Sequence, residues 1–272
     1  MNTRAILAIV RKDLKVAVQN KGVVLPIIIL PVVLFVILPW LMAYGPSLAS
    51  ATGTSFSDMG QIVSHMPAGL LTELSGYTAD QQLTVFILVY MLAPMFLIMP
   101  LMVSSVIAAD SFAGEKERKT LEALLYTPTT DRELFAAKLL GAWTAAVVVA
   151  LLSFVVYAVM VNAAAWHSIQ HIFFPNWMWI ALVLWVTPAV AGLGLVVMVF
   201  ASVRAQGFQD AYQTGSLVVL PVLLLMVGQI SGVMYFSLGV VLIVGLVIWL
   251  IDAVLLWFAS KSFRRGELMA KF

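Results

Sequence analysis

The 272-residue chain is 62% hydrophobic, with a mean hydropathy of +1.04, which is more apolar surface than a soluble core of this size can hide. Only 10% of the residues are charged, the formal net charge is +2, and cysteine is absent, which excludes disulfides, thiolate metal ligands and a cysteine nucleophile. Several apolar runs pass the roughly 18-residue threshold for spanning a bilayer, so the chain reads as an all-α integral membrane protein.

Residues 1–22 predict an amphipathic interfacial helix, with Ile6, Val10, Leu14 and Ala17 on one stripe and Arg4, Arg11, Lys12 and Lys15 on another. The basic region is too long, and the following apolar run too complete, for a cleaved signal peptide. A first span over about 23–44 carries Pro26, Pro31 and Pro39 and is expected to kink. Residues 45–82 form a polar loop in which Met66 to Leu74 reads as a short surface helix, and Thr78 with Gln81 has the spacing of a capping box.

The second span, about 83–109, places Met91, Met95, Met99 and Met102 on one face as a candidate substrate face. Thioethers suit Cu(I), but methionine is also a plastic filler of irregular cores, and packing is the favoured reading.

The polar segment 110–138 holds eleven of the 28 charged residues. Gly114 is expected to release the apolar helix, and Glu115 to Tyr126 to form a short amphipathic helix with Leu121, Leu124 and Leu125 on one side. Glu115 with Lys119 and Arg118 with Glu122 stand at i,i+4 on it. Pro128 ends that helix, and a capping box of Thr130 and Glu133 opens another that runs into the third span, about 139–162.

Trp166, Phe173, Phe174 and Trp177 then mark an aromatic interface belt. His167 and His171 share a helical spacing there, but no third ligand accompanies them and no metal site is expected. The fourth span, about 179–203, is interrupted by Pro188, Gly192 and Gly194, and Gln206, Gln209, Asp210 and Gln213 follow on one helical side. The fifth and sixth spans, about 216–235 and 238–259, are expected to form a tight hairpin, with Gly228 and Gly232 allowing close approach. Gln209, Gln213 and Asp252 are the candidate gate or intramembrane polar residues. For Asp252 a structural pairing with Arg204 or Lys261 is favoured over a functional role.

Lysine and arginine number five before Gly22, five in 110–138, one at Arg204 and four after Ala259, which accounts for all fifteen. By the positive-inside rule both termini, the 110–138 segment and the basic tail 260–272 are cytoplasmic, and residues 45–82 lie outside.

The run AGEKERKTLEALLYTPTTDRELFAAKLL resembles the signature loop of type-2 ATP-binding-cassette (ABC) exporter permeases, and the likeness extends to QDAYQTGSLVVLPVLLL and FRRGEL. The resemblance implies a six-span permease subunit whose coupling helix, Gly114, Glu115, Lys116, Glu117, Arg118, Thr120, Leu121 and Glu122, docks on a cytoplasmic ATPase. Lys119 departs from the small residue usual at its place. Leu121 and Leu125 supply an apolar anchor, and Glu117 and Arg118 directional charges. The chain has no G-x-x-x-x-G-K-[ST] run, so it is not itself an ATPase, and ATP and Mg are expected on the separate subunit. A second permease subunit, identical or not, the lipid bilayer of a prokaryotic inner or plasma membrane, and no nucleic acid complete the implied setting.

Two other classes compete with this reading. An ion-coupled secondary transporter or channel needs several intramembrane charges or paired broken helices in matching halves, and this chain has one acid. An intramembrane enzyme needs a motif such as G-x-S-x-G or H-E-x-x-H, which is absent. The apolar spans, with scattered Ser, Thr and Gln, favour a lipid-like or amphiphilic cargo.

Overall fold

The computed structural model describes residues 3–51, 68–118, 130–231 and 234–262. Among them all regular structure is helical. Six helices are long and apolar enough to cross a membrane: Lys21–Tyr44, Gln81–Glu117, Glu133–Ile169, Trp177–Arg204, Phe208–Gln229 and Leu238–Ala259, the first to sixth spans. Helix α1 (Thr3–Gln19) precedes them, α2 (Ala68–Glu73) leads into the second span, and α3 (Phe208–Gly215) opens the fifth.

The second span is the axis of the bundle. It packs most closely on the fourth and third, with the fifth also against it, while the sixth lies along the fourth and α1 along the third. A Cβ added to Gly194 of the fourth span would stand 2.6 Å from Ser104 Oγ and 2.7 Å from the Leu101 carbonyl oxygen. Small residues facing each other let these two backbones approach, the packing that association within lipid favours.

Three spans contain wide π turns: Val32–Ile37 after Pro31, Phe86–Met91 before Pro94, and Leu182–Val186 before Pro188. Proline has no N–H to give the carbonyl four residues back, and a bilayer has no water to replace it. Pro94 leaves the Tyr90 carbonyl open, and Gln229 of the fifth span donates to it at 2.6 Å. One residue back, Val89 accepts from the Trp179 indole at 2.7 Å, and Leu88 accepts from the Tyr157 hydroxyl. The broken turn of the central helix is thus closed by side chains from the third, fourth and fifth spans. In the fourth span the Thr187 hydroxyl donates to the Leu182 carbonyl at 3.2 Å, beside the backbone N–H of the same residue.

Several expectations change. The fifth span packs on the second and the sixth on the fourth, not on each other, so they do not form the tight hairpin. Gly228 meets Met234 of the following turn instead of another helix, and Gly232 lies outside the described residues. Phe174 leaves the aromatic belt: Asn162 accepts from its N–H at 3.4 Å and from that of Phe173 at 3.1 Å, which folds the loop inward. Phe174 then stacks among Tyr157, Phe154 and Trp179 in the core. The Thr130–Glu133 capping box forms as read, and the helix it opens runs 39 residues to Ile169. Gln170 then turns left-handed at φ 57, so His167 and His171 do not share a helix face. His167 stacks on Tyr44 and His171 on Tyr77.

The methionine face is also broken. Ideal helical spacing already carries Met99 about 80° round from Met91, whereas Met91, Met95, Ile98 and Met102 fall within about 60° of one another. Met91, Met95 and Met102 stay on a half-buried stripe with Ile98, whereas Met99 turns into the core.

Candidate functional site: the charged end of the second span

Gly114 does not release the second helix. The chain passes through it as a π turn, Asp110–Gly114, and continues as helix through Glu117. A side chain at Gly114 would crowd Asp110 Oδ1 at 3.0 Å and the Arg118 guanidinium at 3.3 Å, and it is these two that close the turn, with Arg118 Nη1 donating to Asp110 Oδ1 at 2.9 Å. Asn20, the break between α1 and the first span, donates to the same oxygen at 3.0 Å.

Glu115 is buried, and its carboxylate takes Lys138 of the third span at 2.5 Å on one oxygen and Lys12 of α1 at 2.6 Å on the other. Lys138 is fully buried, and its ammonium also donates to the Ser111 carbonyl at 2.6 Å and lies over the Phe112 ring at 5.4 Å. Asp13 Oδ1 is 3.2 Å from Lys12, and its Oδ2 stands 3.8 Å from Lys138, within ion-pair reach but too far for a hydrogen bond. Two ammonium groups face two carboxylates, so the cluster is neutral, the condition for keeping charge out of water. Burial alone would lower the Lys12 pKa. The hydrogen bond and charge of Glu115, with Asp13 beside it, outweigh burial and raise it above 10.5.

The next two residues clamp a turn. Lys116 Nζ donates to the carbonyl of Ala205, which caps the C-terminus of the fourth span, at 3.0 Å. Glu117 Oε2 accepts from the Phe208 N–H, the first of α3, at 2.9 Å. Each charge meets the helix end whose dipole it complements. Gly207 makes this approach available, since a Cβ there would stand 2.6 Å from Glu117 Oε2. Residues 110–118 are therefore a hub, tied by polar contacts to α1 and to the first, third, fourth and fifth spans.

Of the residues read as coupling, Gly114, Glu115, Lys116, Glu117 and Arg118 sit in this hub, while Thr120, Leu121, Glu122 and Leu125 lie outside the described residues. Gln209 and Gln213 are exposed on α3 and are not drawn into the hub, and Asp210 accepts from the Gln206 N–H at 3.0 Å. Asp252 is elsewhere. It is 1% exposed, its carboxylate lies over Gly192, and among the described residues neither oxygen has a hydrogen-bond partner. Arg204 is twelve residues past Gly192, about 18 Å along that helix, so the expected pairing with Arg204 does not form.

Lys138 and Asp13 were not singled out by sequence reasoning. A lysine within AAKLL, and the one acid of an otherwise basic helix, were the signals present. The buried Gln229 gave none beyond its polarity.

Six membrane-crossing helices around one buried axis define a multi-pass helical membrane protein. The chain matches the ABC-2 family transporter protein family over residues 7–260 and belongs to it, as a membrane-spanning transport subunit. No curated protein and no solved structure matches the chain.

Proposed function

We propose that this chain is the permease of an ABC exporter, driven by a separate cytoplasmic ATPase that docks on the segment beginning at Gly114. The hub carries this reading. A helix that leaves the most buried span and is clamped to α1 and four other spans transmits force applied beyond Arg118 into the whole bundle. ABC-2 membership supports the ATPase partner. The basic clusters favour a cytoplasmic side for both termini and the hub, and the membrane of this reading is a prokaryotic plasma membrane. Six spans are half of a usual ABC pathway, so two such permease subunits, identical or not, assemble with two ATPases. The apolar spans favour an amphiphilic cargo leaving the cell.

Two substitutions separate docking from transmission, measured on the complex co-expressed with its cognate ATPase. Leu121→Asp removes the apolar anchor and weakens ATPase binding by roughly thirtyfold. Glu117→Gln loses the charge at α3 and lowers substrate-stimulated hydrolysis while binding persists. Near-normal binding and hydrolysis in both variants would overturn the coupling reading. Because the chain has no cysteine, single cysteines in 110–138 and 45–82 report sidedness directly by membrane-impermeant labelling.

A further inference from the structure

Helix α1 has two unlike faces. Val10, Asp13 and Ala17 turn toward the third span, where Val10 Cα lies 3.8 Å from the position of a Cβ on Gly141. Arg4, Leu7, Arg11, Lys15 and Val18 recur at three- and four-residue steps on the other side, with Leu7 71% and Val18 72% exposed. An open groove of about 700 Å³ runs along this side, lined by Arg4, Leu7, Ala8, Arg11, Lys12 and Lys15. Among the described residues no carboxylate pairs with Arg4, Arg11 or Lys15, and the one acid of α1, Asp13, is buried against the third span.

We propose that this outer face of α1 binds anionic phospholipid headgroups. The proposal rests on the orientation given above, in which α1 lies on the cytoplasmic leaflet. Its position in the chain fits: α1 ends at Gln19 and Lys21 opens the first span, so its C-terminal end stands at the membrane boundary. Leu7 and Val18 then reach the acyl boundary while the cations lie among the phosphates, the arrangement of an interfacial anchor. Guanidinium forks at Arg4 and Arg11 match phosphate oxygens, and each cation near an anionic surface is worth about a fivefold gain in local attraction. Lys12, at the edge of the groove, gives its ammonium to Glu115, so lipid charge and the hub meet on one helix.

The test uses the full chain in nanodiscs, without ATPase, so its outcome is independent of coupling. Leu7→Cys provides a unique label site for an environment-sensitive fluorophore, and phosphatidylglycerol or phosphatidylcholine, brominated on the acyl chain, serves as quencher at equal mole fraction. Brominated phosphatidylglycerol is expected to quench at least about twofold more strongly, and the preference to vanish in about 0.5 M salt and in an Arg4→Gln, Arg11→Gln, Lys15→Gln variant. Should that variant fail to insert, the salt and lipid series on the unsubstituted cations decides alone. Equal quenching by the two lipids would overturn the proposal, and so would the absence of quenching. A label shielded only when the ATPase is added would give the face to a protein partner and overturn it as well.

Discussion

Two carboxylates are buried to a similar degree, Glu115 at the charged end of the second span and Asp252 within the sixth, and their surroundings differ completely. Glu115 meets an ammonium on each oxygen, from two different helices. Asp252 meets a glycine, and its oxygens have no hydrogen-bond partner among the described residues. Buried charge that ties three helices together is fixed in place by its partners. A buried acid without partners is held only by packing, here by the absence of a side chain at Gly192. The first arrangement suits transmission of force, and the second leaves a polar group that other chemistry can use.

The contrast breaks most severely at Lys138. Lys138→Met leaves Glu115 and Asp13 buried with one ammonium between them, and the protein in detergent is expected to lose about 3–5 kcal/mol, read as a collapse of its thermal midpoint. A Lys138→Met, Glu115→Leu pair should recover much of that loss, and failure to recover would mean that Glu115 is not the relevant partner. Gly192→Ala comes next. A Cβ there would stand 2.6 Å from Asp252 Oδ2, so the carboxylate must turn away or the sixth span shift, at about 1–3 kcal/mol. An unchanged thermal midpoint would show that the fourth and sixth spans are not held at that contact.

Lys12 is the exposed edge of the paired cluster, with 44% of its side chain accessible, so Lys12→Gln is expected to cost no more than about 1 kcal/mol. Its raised pKa fixes the sign of the pH effect. On the alkaline side the contribution is present below 10.5 and is lost as pH rises through the higher folded value, so the gap between parent and variant should close in strong alkali. A gap that persisted through strong alkali would show that the Lys12 charge is not what the variant loses. The smallest stability effect is expected at Asp252→Asn, under about 1 kcal/mol, since no partner is left behind. If transport by that variant nonetheless falls away while assembly is intact, the unpartnered acid belongs to the cargo path.

The spans and their capping boxes were legible because they depend on short-range pattern: apolar runs of spanning length, and Thr130 three residues before Glu133. The hub was legible as a charge cluster but not as an object. Sequence spacing presents Glu115 as one turn from Lys119, which lies outside the described residues, whereas two of its partners are 23 and 103 residues away. Gly114 read as a helix breaker because propensity treats glycine as weak, yet Asp110 and Arg118 close the turn across it. The methionine stripe failed at Met99 because steps of four, four and three carry that residue to the edge of the face, where Ile98 takes its place. Asp252 was noticed as an intramembrane acid, but its glycine neighbour comes from another helix, and no local pattern carries that.

The closed π turn in the second span has a consequence for biogenesis. Carbonyls 88, 89 and 90 find their donors on Tyr157, Trp179 and Gln229, all of which are synthesised later and in that order. A nascent chain halted after the second span would hold three amide oxygens in the membrane without those donors. The third, fourth and fifth spans each supply one, so the axis of the bundle has all three donors only when the fifth span is in place.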